Sequence, residues 1–272
     1  MRSTHYTNWC EYQPRKPGQF FNFLAASSLA EFRAFVSLVR YPAHALLFEE
    51  HQQASRMLVL VEGCAKLSVN SSEGKRLILG IARPVELLGL ASVLSGNSYE
   101  MTAETVHACR IASICRQEFL DFLKRHPRAY QGVASELSME MSRTREQMRI
   151  LGLSSSASTR LAWLLLQWST TGRATAPGTS VSVSLTHEEM GECIGVTRET
   201  VSRAMTDLRQ RRLIDVHRAA ITITSRFALE SFAQGKLHRT LTALSLANRV
   251  GRSRLPGTLA SKVTEITAGR RA

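Results

Sequence analysis

Between Leu185 and Arg212 the chain reads LTHEEMGECIGVTRETVSRAMTDLRQRR, a pattern that suits two short helices joined by a tight turn and little else. Thr186 is placed to cap the first helix, and Glu189, three residues on, to reach back and complete a capping box. Gly195-Val196 interrupts the pattern, and a glycine there can take the positive φ of a sharp helix-to-helix turn. Thr197 is the next cap. In the second helix Val201, Met205 and Leu208 recur at three- and four-residue spacing and form the buried side. Arg198, Glu199, Ser202 and Arg203 are thereby left to point outward together. Their side chains suit contacts to base edges and phosphates, so the stretch is a helix-turn-helix candidate.

At 272 residues the chain has room for two ordinary domains. Its net charge of +13 is uneven, with 18 basic against 14 acidic residues through residue 150 and 17 against 8 afterwards. A basic C-terminal part suits a polyanion, because Lys and Arg displace counterions condensed on a phosphate backbone. No apolar run approaches the roughly 20 residues that span a bilayer. The start, with Trp9, Tyr12, Phe20, Phe21 and Phe23, lacks the compact apolar core of a signal peptide. A cytoplasmic protein with no membrane partner is expected. Cys10, Cys64, Cys109, Cys115 and Cys193 contain no CxxC pair, so neither a zinc site nor clustered iron-sulfur ligands are written locally. Packing thiols are the default reading. Cys109 and Cys115 share parity on one strand, which leaves a redox role open for them.

In chain order, residues 1–27 read as a mobile N-terminal arm. Leu29, Phe32, Phe35 and Val36 fit a short amphipathic helix over residues 28–38, stopped at Tyr41-Pro42. Residues 45–116 carry short β-rich runs (MLVLVEG, AKLSVN, RLILGI, HACRIASI) broken by turn signals, which predicts a sandwich or barrel. From Tyr130 the positions Ala134, Leu137, Met141, Thr144, Met148 and Leu151 step by four and three alternately. That is a coiled-coil seam, and it predicts a homodimer through a helix over 127–152; packing on the chain's own β domain is the competing use of the same stripe. A serine-rich hinge follows at 154–156. Leu161, Leu164, Leu165 and Trp168 mark the next helix, with Trp163 and Trp168 read as core. Val181 and Val183 form a short strand before the helix pair. After it, LIDV and AITIT flank His217-Arg218-Ala219 as a β-hairpin, making the unit a winged helix-turn-helix, with Arg218 placed near a phosphate. Residues 233–272 read as a basic tail, partly disordered or touching DNA.

This order resembles the CRP/FNR family of bacterial transcription regulators over roughly residues 28–232, most specifically in LTHEEMGECIGVTRETVSRAMTDL followed by LIDVHRAAITI. The resemblance implies an α+β fold: an N-terminal β-roll (double-stranded, jelly-roll-like) over 28–126, a long dimerisation helix over 127–152 and a C-terminal winged helix-turn-helix domain over 153–232. It also implies that Arg198, Glu199 and Arg203 read base edges, with Ser202 at the family's variable serine. The chemistry agrees: arginine forks onto guanine O6 and N7, glutamate accepts from the cytosine amine, and each contact gives roughly 1–3 kcal/mol of discrimination. Thr186, Thr197 and Thr200, with Arg218, are expected on phosphates. A two-fold pseudo-palindromic operator in double-stranded DNA should follow, with RNA polymerase as a partner if the protein activates.

The sensor half departs from the cyclic-nucleotide pattern. Leu90 follows Gly89 where a glutamate is usual, and Glu100-Met101 stands where an arginine-serine pair holds the phosphate. A carboxylate there repels a cyclic phosphate and Met101 cannot donate a hydrogen bond. Cyclic AMP is therefore disfavoured, and the cofactor or effector is left unassigned. His44, His51 and His107 remain open as haem ligands. No Walker, GxSxG or HExxH motif suggests an enzyme. A non-DNA adaptor or scaffold for anionic surfaces is the competing class.

Overall fold

The computed structural model of the protein describes residues 19–154, 156–169, 173–175, 178–182, 185–217 and 220–235. The expected arm before residue 19, Val183, Arg218 and the basic tail from 236 lie outside the described residues.

The N-terminal domain begins earlier than the β-rich pattern suggests. A 3-10 turn at Phe20–Phe23 precedes α1 (Ala26–Phe35). Phe20 and Phe21 are fully buried, so the arm expected over 1–27 does not extend through these residues. Their rings meet Phe32 at 5.9 and 5.5 Å, and Phe32 meets Phe122 at 5.3 Å, largely edge-on as ring quadrupoles favour. Helix α1 stops at Phe35 rather than continuing to Leu38. Leu38 lies in β1 (Ser37–Tyr41), opposite Ala112 of β8 (Cys109–Cys115). Apolar residues at Phe35, Val36 and Leu38 satisfy a period of three to four and a period of two alike, and pairing with β8 decides for the strand.

Two four-stranded antiparallel sheets form the roll. With β2 (Leu46–Phe48), β3 (Arg56–Glu62), β4 (Ala65–Asn70), β5 (Arg76–Ala82), β6 (Leu87–Leu88) and β7 (Thr102–Thr105), the orders are β1-β8-β3-β6 and β2-β7-β4-β5. Strand β3 is buried from Met57 to Val61 because one face meets the roll interior while the other is covered by α2 (Leu90–Ser95) and α3 (Arg116–Arg125). That is why MLVLV is a continuous apolar run rather than an alternating one.

Helix α4 (Ala129–Leu153) follows, 25 residues or about 37 Å at 1.5 Å per residue. Only part of its apolar stripe is covered by the β-roll. Ala129 and Val133 are buried in the β-roll core, with Leu137 half-buried against it. Tyr130, Met141 and Met148 are exposed, Met141 by 55% and Met148 by 67%, as are Ala134 and Thr144. Leu151 is half-buried near Gly195.

After Ser154 the chain enters α5 (Ala157–Ser169), whose start is capped by Ser156 Oγ accepting the Thr159 N–H at 3.1 Å; Ser155 of the expected hinge lies outside the described residues. Leu161, Leu164 and Leu165 pack with α6 (His187–Ile194), α7 (Arg198–Gln210) and α8 (Arg226–Ala233). Trp163 and Trp168 flank that core, and the Arg149 guanidinium sits 5.2 Å from the Trp163 ring. The wing sheet runs β11-β12-β10-β9, with β9 (Arg173–Thr175), β10 (Gly178–Ser182), β11 (Ile214–His217) and β12 (Ala220–Ile223). No helix among the described residues is long and apolar enough to cross a membrane.

Candidate DNA-binding interface

The helix pair is built from its caps. Thr186 Oγ1 accepts the Glu189 N–H at 3.1 Å, and Glu189 Oε2 accepts the Thr186 N–H at 2.8 Å, so two orphan donors of α6 are satisfied reciprocally. Gly195 ends α6 at φ +67, in the left-handed region where a side chain is strained. Gly191 serves a different need: a Cβ there would stand 2.5 Å from the Val196 carbonyl oxygen, so the turn packs this closely only on a glycine. Thr197 Oγ1 then accepts the Thr200 N–H at 3.4 Å and starts α7.

Val201, Ala204, Met205 and Leu208 bury one side of α7. Arg198, Glu199 and Arg203 are exposed on the remainder, brought together as the periodicity predicts. Hydrogen bonds from its own backbone N–H and from the Thr197 hydroxyl, with Arg198 and Arg203 nearby, hold the Glu199 carboxyl below its usual range. It is therefore an ionised acceptor at neutral pH. Ser202 differs from the expectation. It is half-buried, its hydroxyl donates to the Arg198 carbonyl at 3.1 Å and it lies 3.0 Å from His187 Nδ1. It braces α6 against α7 and is not freely presented. The hydroxyls of Thr197 and Thr200 are 3.1 Å apart, and Thr186 is exposed; all three sit at helix starts.

Sequence reasoning missed the far end of α7. Arg209 lies eleven residues, three helical turns, beyond Arg198 and so on the same face. With Thr206, Gln210, Arg212, Ile214, Asp215 and Thr224 it lines an open groove of about 540 Å³ between the helix and the wing. Arg211, by contrast, is paired with Asp207 at 2.7 Å and stacked on Phe232. The 198, 209 spacing was a readable signal, but it mattered only once the wing closed the groove.

In the β-roll, Phe48, Leu67, Leu87, Gly89, Tyr99, Glu100, Met101 and Glu140 surround a cavity of about 30 Å³, the scale of a water or two. The Phe48 and Tyr99 rings stack on each other at its wall, 4.0 Å apart. Burial, then Glu100, pushes the Glu140 carboxyl above its usual range, with Arg143 opposing and Glu86 adding to the rise. His44 lies 3.5 Å from Glu104 and His51 3.9 Å from Glu50; among the described residues no three His, Cys, Asp or Glu converge as metal ligands would. Cys109 and Cys115 stand at opposite ends of β8, about 20 Å apart at 3.3 Å per residue, so they do not pair with each other. The Cys109 thiol donates instead to the Cys64 and His107 carbonyls.

Two family models match the chain: a cyclic nucleotide-binding domain over residues 38–126 and a Crp-like helix-turn-helix domain over residues 159–232. The transcriptional activatory protein AadR of Rhodopseudomonas palustris is 31% identical over 185 residues, 68% of this chain and 76% of AadR. The nitrogen fixation regulation protein FixK of Bradyrhizobium diazoefficiens is 26% identical over 211 residues, 77% of this chain and 87% of FixK. Among solved structures, FixK2 of Bradyrhizobium japonicum shares the fold at a TM-score of 0.65 and 21% identity, over 72% of this chain and 96% of that one. The relatives are transcription regulators and no enzyme family is indicated. A β-roll, a capped helix pair and a wing in this order, matched by both models, place the chain in the CRP/FNR family of transcription regulators, with a C-terminal helix-turn-helix domain that binds DNA.

Proposed function

We propose that the protein acts in the cytoplasm as a homodimer on a pseudo-palindromic operator, reads bases through Arg198, Glu199 and Arg203, and does not answer cyclic AMP through the usual pocket. The observation that carries this is the exposure of those three side chains on one capped, well-buried helix. Two forked donors beside one ionised acceptor suit guanine and cytosine edges in the major groove. Thr186, Thr197 and Thr200, at the starts of α6 and α7, are assigned to phosphates, and Ser202 acts by fixing the angle between the two helices. Dimerisation is supported by the exposed apolar stripe Tyr130, Met141 and Met148 on α4, which a second copy of the same helix would cover. Against cyclic AMP stand the small cavity and Glu100, whose carboxylate would repel a phosphate. No catalytic step is proposed. RNA polymerase is the further partner if the protein, like AadR by its name, activates.

The test is selection of bound duplexes from a random pool by the purified full chain without added ligand. A palindromic consensus with half-sites one helical turn apart supports the reading. Enrichment of a single half-site only, or a consensus that appears only on adding cyclic AMP, overturns the corresponding part of it. Retention of all duplexes alike would favour the anionic-surface scaffold instead.

A further inference from the structure

Helix α6 is gripped from the β-roll as well as from its own domain. Lys66 of β4 is only 3% exposed, yet its Nζ lies 2.8 Å from Glu189 and 3.0 Å from Glu104. Arg76 of β5 reaches Glu192 at 2.8 Å and Glu104 at 3.5 Å. Two cations and three carboxylates therefore tie the β4–β5 hairpin to α6, with Glu104 shared. Beneath them Ile78 and Val106 of the roll are buried in the core of the helix-turn-helix domain, and Ile81 packs against it. On its other side α6 is held by Gln147 of α4, which donates to the Cys193 carbonyl at 2.8 Å, and by Arg160 of α5, which donates to the Ile194 carbonyl at 3.2 Å. None of these contacts covers Arg198, Glu199 or Arg203, which stay exposed. The clasp does not hide the DNA-reading face. It sets where that face points.

We propose that Lys66 and Arg76 are positioning residues for operator recognition: the β4–β5 hairpin fixes the pose of α6, and through it the separation at which a dimer presents its two α7 helices. The inference rests on the dimer reading above. Lys66, its side chain 4% exposed, cannot leave Glu189 and Glu104 without stranding a charge away from water, whereas an apolar contact slides at little cost; Arg76, 31% exposed, extends the same tie to Glu192. A rigid pose in turn admits few half-site spacings, since two recognition helices must enter successive major grooves about 34 Å apart.

The experiment compares the full-length wild type, Arg76→Glu, and the charge swap Arg76→Glu with Glu192→Arg. Each is titrated against a duplex carrying one selected half-site, and against duplexes carrying two half-sites whose spacing is changed by one or two base pairs. The wild type should prefer one spacing by roughly tenfold or more. Arg76→Glu should flatten that preference to within about threefold while keeping single half-site affinity within about twofold, and the swap should restore it. An Arg76→Glu protein with the wild-type spacing preference overturns the proposal. So does a loss of single half-site affinity as large as the loss on the paired site, which would mark damage to the reader itself. If the wild type has no spacing preference, the dimer reading fails first and the proposal falls with it.

Discussion

Lys66 and Glu189 sit 123 residues apart in sequence and 2.8 Å apart in space, and the carboxylate that receives the lysine is the one that closes the capping box on Thr186. One side chain thus starts a helix and docks a domain. Burial alone would raise the Glu189 carboxyl, but the Lys66 hydrogen bond and the Thr186 N–H outweigh it and hold the group below its usual range. A carboxyl lowered on folding contributes stability above its unfolded value of about 4.3, and loses it as pH falls through the folded value. Glu189→Gln keeps an acceptor for Thr186 and removes the charge. It should cost about 1–3 kcal/mol at pH 7, less than the loss of an isolated buried pair because Lys66 keeps Glu104. Denaturant titrations at pH 7 and pH 3 check this: the gap between wild type and variant should close at the lower pH.

The carboxyl of Glu136 has the opposite sign. Burial pushes it up, against the Phe20 N–H bonded to it at 2.9 Å and the charge of Arg143, with Glu86 and Glu140 adding to the rise. A raised carboxyl is no burden below its unfolded value, becomes one as pH climbs through the folded value, and is a full one above it. Glu136→Gln, which still accepts from Phe20, should therefore raise Tm at pH 7.5. The gain should be about 2–4 °C per kcal/mol released and should vanish at pH 4 in a thermal scan.

Because Leu137 packs on its own β-roll, a charge there damages the monomer as well as any seam. Met141→Glu with Met148→Glu is the cleaner disruption, both residues being exposed. Sedimentation should show monomers with unchanged thermal stability per protomer. A dimer that survives the double change would move the interface elsewhere.

On DNA, Arg198→Ala and Arg203→Ala should each cost roughly 1–3 kcal/mol of discrimination between the selected site and its single-base variants, with non-specific affinity largely kept. Arg209→Ala and Arg212→Ala, in the groove beside the wing, should instead weaken all duplexes alike and lower the salt slope by about one each. Filter binding at several salt concentrations separates the two classes. Equal loss of discrimination from all four variants would erase the distinction drawn between them.

What was legible in the chain follows from the range of each interaction. The capping box at Thr186 and Glu189, the glycine turn at Gly195 and the buried triplet Val201, Met205 and Leu208 are all local, and the structure has them where the spacing puts them. The long helix was legible from its stripe, though a stripe does not say which of its positions the β-roll covers. Phe20 and Phe21 were missed because two adjacent aromatics have no period, and a 3-10 turn buries both. Leu38 lies where two periods overlap, and only its pairing with Ala112 of β8 makes it a strand residue. Lys66 and Arg76 gave no signal at all, since their partners on α6 lie more than 110 residues away and an isolated cation on a strand reads as solvated surface. The expectation for Ser202 went astray for the same reason on a smaller scale: His187, which takes it up, belongs to the other helix.

Cys193, one residue before the end of α6, is buried, and burial, with Glu192 and Glu189 adding to it, pushes its thiol up to about 12. At neutral pH the thiolate is scarce there, and an alkylating reagent has no path to it while the domain stays shut. The sulfur is thus a natural clock for the DNA-reading domain. Its rate of modification, followed peptide by peptide, would report how often α6 parts from its neighbours, without a label having to be introduced.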